Sequence, residues 1–111
     1  MLKKTVLRNN KEISCIYNKG KSQGSKYVVL FYKKNALSYN RICVLASKKV
    51  GNSVKRNRAR RLIKAAYFNY KEKVEIGFDL IFIARKDIVE VKCKEVEKSM
   101  YSLFKRGNLF R

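Results

Sequence analysis

The chain has 111 residues, 46% of them hydrophobic, and carries 28 Lys and Arg against 8 Asp and Glu, a net charge of +20. That length and apolar content suit one folded domain, residues 1–111, with core enough to stand without disulfides or metal, and the excess charge points to a polyanionic partner. With no His, three scattered cysteines (Cys15, Cys43, Cys93) and only strand-length apolar runs, the sequence argues against imidazole acid–base catalysis, a zinc site of usual spacing, a disulfide framework and a membrane span.

The opening Met1-Leu-Lys-Lys-Thr5 lacks a signal-peptide pattern, and scattered cysteines suit buried thiols, so a cytoplasmic location is expected. Residues from about Asn9 to Asn18 predict a first helix, with Ile13, Ile16 and Tyr17 on one stripe and Gly20 after its end. Gly20 to Ser25 is turn-rich. Tyr27–Tyr32 is β-branched and aromatic and predicts a strand, whose alternation sends Tyr27 and Phe31 to one face and Tyr32 to the other. Lys33–Asn40 suits a polar hairpin loop leading to a second strand, Arg41–Ser47, antiparallel to the first. After the break at Gly51-Asn52, Asn52 or Ser53 caps a helix running to about Tyr70. Phe78–Ala84 is nearly all apolar and suits a buried central strand. A last helix, from about Val89 to Arg106, aligns Val89, Cys93, Val96, Met100, Leu103 and Phe104. The pattern is αββαβα, an α+β fold.

Charge is unevenly placed. From Ile13 to Lys71 there are fifteen Lys or Arg and no acid, and seven of the eight acids lie from Glu72 onward. Ser47–Lys64 alone holds eight basic residues. At about 100° per residue, Ala59, Leu62, Ile63, Ala66 and Tyr70 share one helix face, and Asn57, Arg60, Arg61, Lys64 and Lys71 share the opposite one. A merely solvated face mixes signs, because Glu–Lys pairs at i, i+4 help a helix; this stripe is unrelieved like charge. A membrane-surface helix needs its apolar seam free, whereas here the core requires it. Phosphate is the partner left, and Arg forks match its oxygens. Aromatics on an uncovered sheet face can in addition stack on unpaired bases.

The stretch Ala46-Ser-Lys-Lys-Val-Gly-Asn-Ser-Val-Lys-Arg-Asn-Arg-Ala-Arg-Arg-Leu-Ile-Lys64 resembles the signature of the bacterial ribonuclease P protein component: an Arg-Asn-Arg helix, here Arg56, Asn57 and Arg58, preceded by Ser-Lys-Lys-hydrophobic-Gly-Asn-Ala/Ser-Val. Leu7-Arg-Asn-Asn-Lys-Glu12, Tyr17 to Gly20, Ile83-Ala-Arg-Lys86 and the helix before Leu103-Phe-Lys105 extend the likeness. The resemblance implies a single-domain α-β-β-(β)-α-β-α sandwich with a central, mostly antiparallel sheet. It also implies a left-handed crossover around the Arg-Asn-Arg helix and an extra short strand near Gly20–Ser25. The function implied is that of the protein subunit of a ribonucleoprotein endoribonuclease that removes the 5′ leader from precursor tRNA. The partners are the catalytic RNA subunit and the leader, with no membrane and no small-molecule substrate. The protein itself is the non-catalytic subunit and binds no cofactor alone, while the RNA-containing holoenzyme requires Mg2+.

Carried over by position, the leader-binding cleft comprises Ile13, Tyr17 and Phe31 with Asn57, Arg60 and Lys64. Ile13 stands where many relatives have Phe; an aliphatic chain packs on a base but does not stack as a ring. Lys48, Lys49, Lys55, Arg56, Arg58 and Arg61 match the basic set that meets the RNA subunit or the substrate backbone, and Gly51 and Asn52 serve the turn before the helix. Two other classes fit the charge alone. A structural RNA binder, such as a small ribosomal protein, shares the charge but not this residue order. A protein-only nuclease needs clustered carboxylates for metal ions, and the only Asp residues, Asp79 and Asp87, fall at a strand end and in a loop.

Overall fold

The computed structural model describes residues 6, 7 and 9–111; Met1–Thr5, where the sequence lacks a signal-peptide pattern, and Arg8 lie outside the described residues. Helix α1 (Asn10–Lys19) opens at Asn9, whose side chain accepts from the Lys11 and Glu12 N–H groups, and its end is closed by the Gly20 N–H donating to the Ile16 carbonyl at 2.8 Å. Gly20 is required there: a Cβ would sit 2.6 Å from the carbonyl oxygens of Ile16 and Tyr32. Strands β1 (Lys21–Gly24), β2 (Val28–Lys34) and β3 (Arg41–Leu45) follow, then α2 (Ser53–Tyr70), β4 (Phe78–Ala84) and α3 (Cys93–Arg106). The turn before α2 uses Gly51 at φ +140, a region that Cβ-bearing residues rarely adopt, and Asn52 caps the helix by accepting from the Lys55 N–H. The short strand expected near Gly20–Ser25 is β1.

The four strands form one mixed sheet in the order β1-β2-β4-β3. The pairs β1–β2 and β2–β4 are antiparallel, and β3–β4 is parallel. The hairpin expected from residues 33–40 is therefore absent. β3 does not pair with β2, because β4 lies between them. Phe78–Ala84 takes the position with strand neighbours on both sides and helices over both faces, which its continuous apolar run demands. The parallel β3–β4 pair requires a long crossover, and α2 is that crossover.

Alternation divides the core into two unequal parts. Val28, Leu30 and Tyr32 of β2 and Leu80, Phe82 and Ala84 of β4 face α2 and α3, where they bury Ala59, Ile63, Ala66, Val96, Met100, Leu103 and Phe104. The opposite face carries a smaller cluster, Leu7, Ile16 and Ile81, with Ile13, Phe31, Cys43 and Ile83 half-buried against it. α1 alone among the helices contributes to it.

Three further expectations are corrected. Tyr27 does not share a face with Phe31: regular strand begins at Val28, and the Tyr27 N–H turns to Ser99 Oγ of α3 at 3.2 Å, placing the ring in the larger core. The last helix begins at Cys93 rather than Val89, after a 3-10 turn at Lys86–Glu90 and extended backbone at Val91 and Lys92. In one unbroken helix Val91 would point about 140° away from Val96; the break lets it pack on the core with Val89. Cys15, Cys43 and Cys93, expected as buried thiols, are only half-buried.

Candidate nucleic-acid interface

Helix α2 presents the basic stripe because its other side is tied down. Ala59, Ile63 and Ala66 are wholly buried, while Leu62 and Tyr70 are half-buried. Opposite them, Asn57, Arg61, Lys64 and Lys71 are exposed and Arg60 is half-buried. Arg60 Nη1 donates to Asn57 Oδ1 at 2.7 Å, so these two side chains are held as a pair one turn apart. Lys48 and Lys49 lie exposed in the turn before the helix, and Lys55 is exposed in its first turn. Arg56 is half-buried, with Nε enclosed and without a hydrogen-bond partner. Arg58 is exposed and reaches the Val91 carbonyl at 3.5 Å. The first turn of α2 contains no acid, so cations crowd the positive end of the helix dipole, an arrangement that an incoming anion relieves.

The aromatic part of the predicted cleft is built on the other side of the sheet. Tyr17 of α1 and Phe31 of β2 meet edge to face, with centroids 4.9 Å apart, and Ile13 packs on the same cluster. Tyr17 is 39% exposed, so part of its side chain stays open to solvent. Burial, with a smaller contribution from Cys43, pushes the Tyr17 phenol above its ordinary pKa, so at neutral pH it is an O–H donor. The sequence-predicted residues thus gather in two groups: Ile13, Tyr17 and Phe31 on the α1 face, and Asn57, Arg60 and Lys64 on α2, whose seam packs on the opposite face.

The acids have other employment. Asp79 does fall at a strand end, as the second residue of β4, but it is 6% exposed and its register partner in β3 is Arg41. The Arg41 fork donates to both Asp79 carboxylate oxygens, at 2.8 and 2.7 Å, and also pairs with Glu12 of α1 at 2.7 Å, while Asn35 Nδ2 donates to Asp79 Oδ1 at 2.9 Å. This network pins α1 and the 35–40 loop to the sheet. No local sequence signal announces it, since Glu12, Arg41 and Asp79 come from three separate elements. Asp87 lies in the 3-10 turn rather than a loop. Among the described residues no three His, Cys, Asp or Glu side chains come together as a metal site, and no helix is long and apolar enough to cross a membrane.

A cationic helix held against a mixed α+β sheet, with rings left accessible on the far face, defines a small RNA-binding protein. The ribonuclease P family model matches residues 1–108. The ribonuclease P protein component of Clostridium botulinum (strain Langeland) is 40% identical over 110 residues, covering 98% of this chain and 99% of its own length. That of Clostridioides difficile is 40% identical over 104 residues, covering 93% and 91%. The solved RNase P protein of Staphylococcus aureus superposes with a TM-score of 0.87 at 26% identity, covering 98% of this chain and all of that one. The Thermotoga maritima protein gives 0.82 at 28% identity, covering 91% and 96%. The chain belongs to the ribonuclease P protein family, and with it to the RNA-binding proteins of tRNA processing.

Proposed function

We propose that this protein is the non-catalytic subunit of ribonuclease P, binding both the catalytic RNA subunit and the 5′ leader of precursor tRNA in the cytoplasm. The observation that carries the reading is the acid-free cationic ridge of α2, solvent-facing and locked by its buried seam. Lys48, Lys49, Lys55, Arg56, Arg58 and Arg61 take phosphates of the RNA subunit or substrate backbone. The leader engages Ile13, Tyr17 and Phe31 with its bases, and Asn57, Arg60 and Lys64 with its backbone; a strand using both groups passes over the β3 edge, against which α2 packs. The protein positions the strand, and the RNA subunit breaks the bond.

Magnesium belongs with the RNA in this scheme. The described residues bring no three carboxylates together around an ion, and Asp79 and Glu12 are engaged by Arg41. The test is reconstitution: the protein mixed with its RNA subunit at low Mg2+ should restore leader removal that the RNA alone performs poorly. Cleavage of precursor tRNA by the protein without RNA would refute the non-catalytic role. Selective recovery of ribosomal rather than ribonuclease P RNA with the protein from cells would favour the ribosomal-protein class instead.

A further inference from the structure

Phe68 lies on α2 nine residues after Ala59, hence about 180° around the helix from the buried seam. It is 67% exposed. Along the outward ridge it falls within about 40° of Asn57, Arg61 and Lys64. Lys71 Nζ stands 4.5 Å from its ring centroid, and Glu72, the nearest acid in sequence, lies beyond the helix end. A large ring directed at solvent contributes little to folding. Flanked by Arg61, Lys64 and Lys71, it has instead the composition of a single-strand nucleic-acid platform: a flat apolar surface for a base between cations for the adjoining phosphates.

Resting on the function proposed above, we infer that Phe68 is a base-stacking residue that extends the α2 ridge and takes an unpaired nucleobase of the catalytic RNA subunit. Charge selects RNA over a second copy of this chain, since each copy carries +20 and two such ridges repel. Placement selects the RNA subunit over the leader. Of the residues assigned to the leader only Lys64 adjoins Phe68: Asn57 lies about three turns back along the helix, Arg60 lies about two turns back and about 80° around it, and the leader's rings are on the far sheet face.

The chain contains no Trp, so Phe68→Trp installs a unique fluorophore at the proposed contact. Its emission should be quenched on adding the RNA subunit, and its affinity should match that of the parent protein. Phe68→Ala and Phe68→Leu should each weaken RNA-subunit binding about five- to tenfold. The slope of log affinity against log salt should not change, because no phosphate contact is lost. Leu keeps the apolar bulk and helix propensity, so a loss shared by Ala and Leu but rescued by Trp belongs to the aromatic face rather than to folding. Affinity within twofold of the parent in Phe68→Ala, or unquenched Trp emission in the complex, overturns the inference. So does a defect that appears only with leader-bearing substrate. Failure of the parent protein to bind the RNA subunit would instead end the proposed function itself.

Discussion

The two faces of the sheet divide the labour of the molecule. The α2–α3 face buries a deep apolar core and thereby holds a row of like charges on one rigid helix, against a mutual repulsion that would weaken that helix in isolation. The α1 face is covered by one helix, and its rings are only half-buried, with Tyr17 partly open to solvent. Heavy packing therefore fixes the side proposed to take phosphates, and sparse packing keeps the side proposed to take bases accessible. The Arg41–Asp79–Glu12 network compensates for the thin apolar cover by tying α1 down electrostatically.

Perturbing the two faces should give different defects. The largest effects belong to the deep core and the ionic tie. Ile63→Ala should cost about 2–5 kcal/mol of folding stability, read from urea unfolding, since it leaves a cavity under the ridge. Asp79→Ala should cost about 3 kcal/mol by leaving the half-buried Arg41 without its fork partner; an unchanged unfolding midpoint would show that the tie is ornamental. On the other side of the comparison, Phe31→Ala should weaken leader binding by about 1–3 kcal/mol, with binding of leaderless tRNA unchanged. An equal loss on both substrates would mark a folding defect. Removing Arg60 and Lys64 together should lower substrate affinity in the assembled particle and flatten its salt dependence by about 0.7 per phosphate released. If affinity barely moves, those two residues do not belong to the cleft. The smallest effect is a gain: Ile13→Phe should tighten leader binding by less than about 1 kcal/mol through a ring beside Tyr17, detectable as a shift in substrate Kd.

Most of the candidate interface is legible in the chain itself. The basic stripe of α2 follows from helical spacing, and the seam behind it from the same periodicity. The order of residues 46–64 carries the family likeness. Phe68 is legible in the same way, since its place on the helix wheel depends only on counting from Ala59. The ionic tie is not: Glu12, Arg41 and Asp79 show no common pattern until the sheet register sets Arg41 beside Asp79. Nor is the opposition of the two groups across the sheet, which depends on which helix covers which face.

Local chemistry alone determined the presence of the three helices and of three of the four strands, though not β1 or the start of the last helix, because caps such as Asn9 and Asn52, the glycines at 20 and 51, and the apolar periods act within a few residues of themselves. It also determined the charge, and with it the need for a polyanion. Tertiary structure decided the insertion of β4 between β2 and β3, the turning of Tyr27 to the larger core and the break that brings Val91 inward. Each of these is a choice among arrangements of nearly equal local energy, and it is settled only when distant apolar surfaces compete for burial.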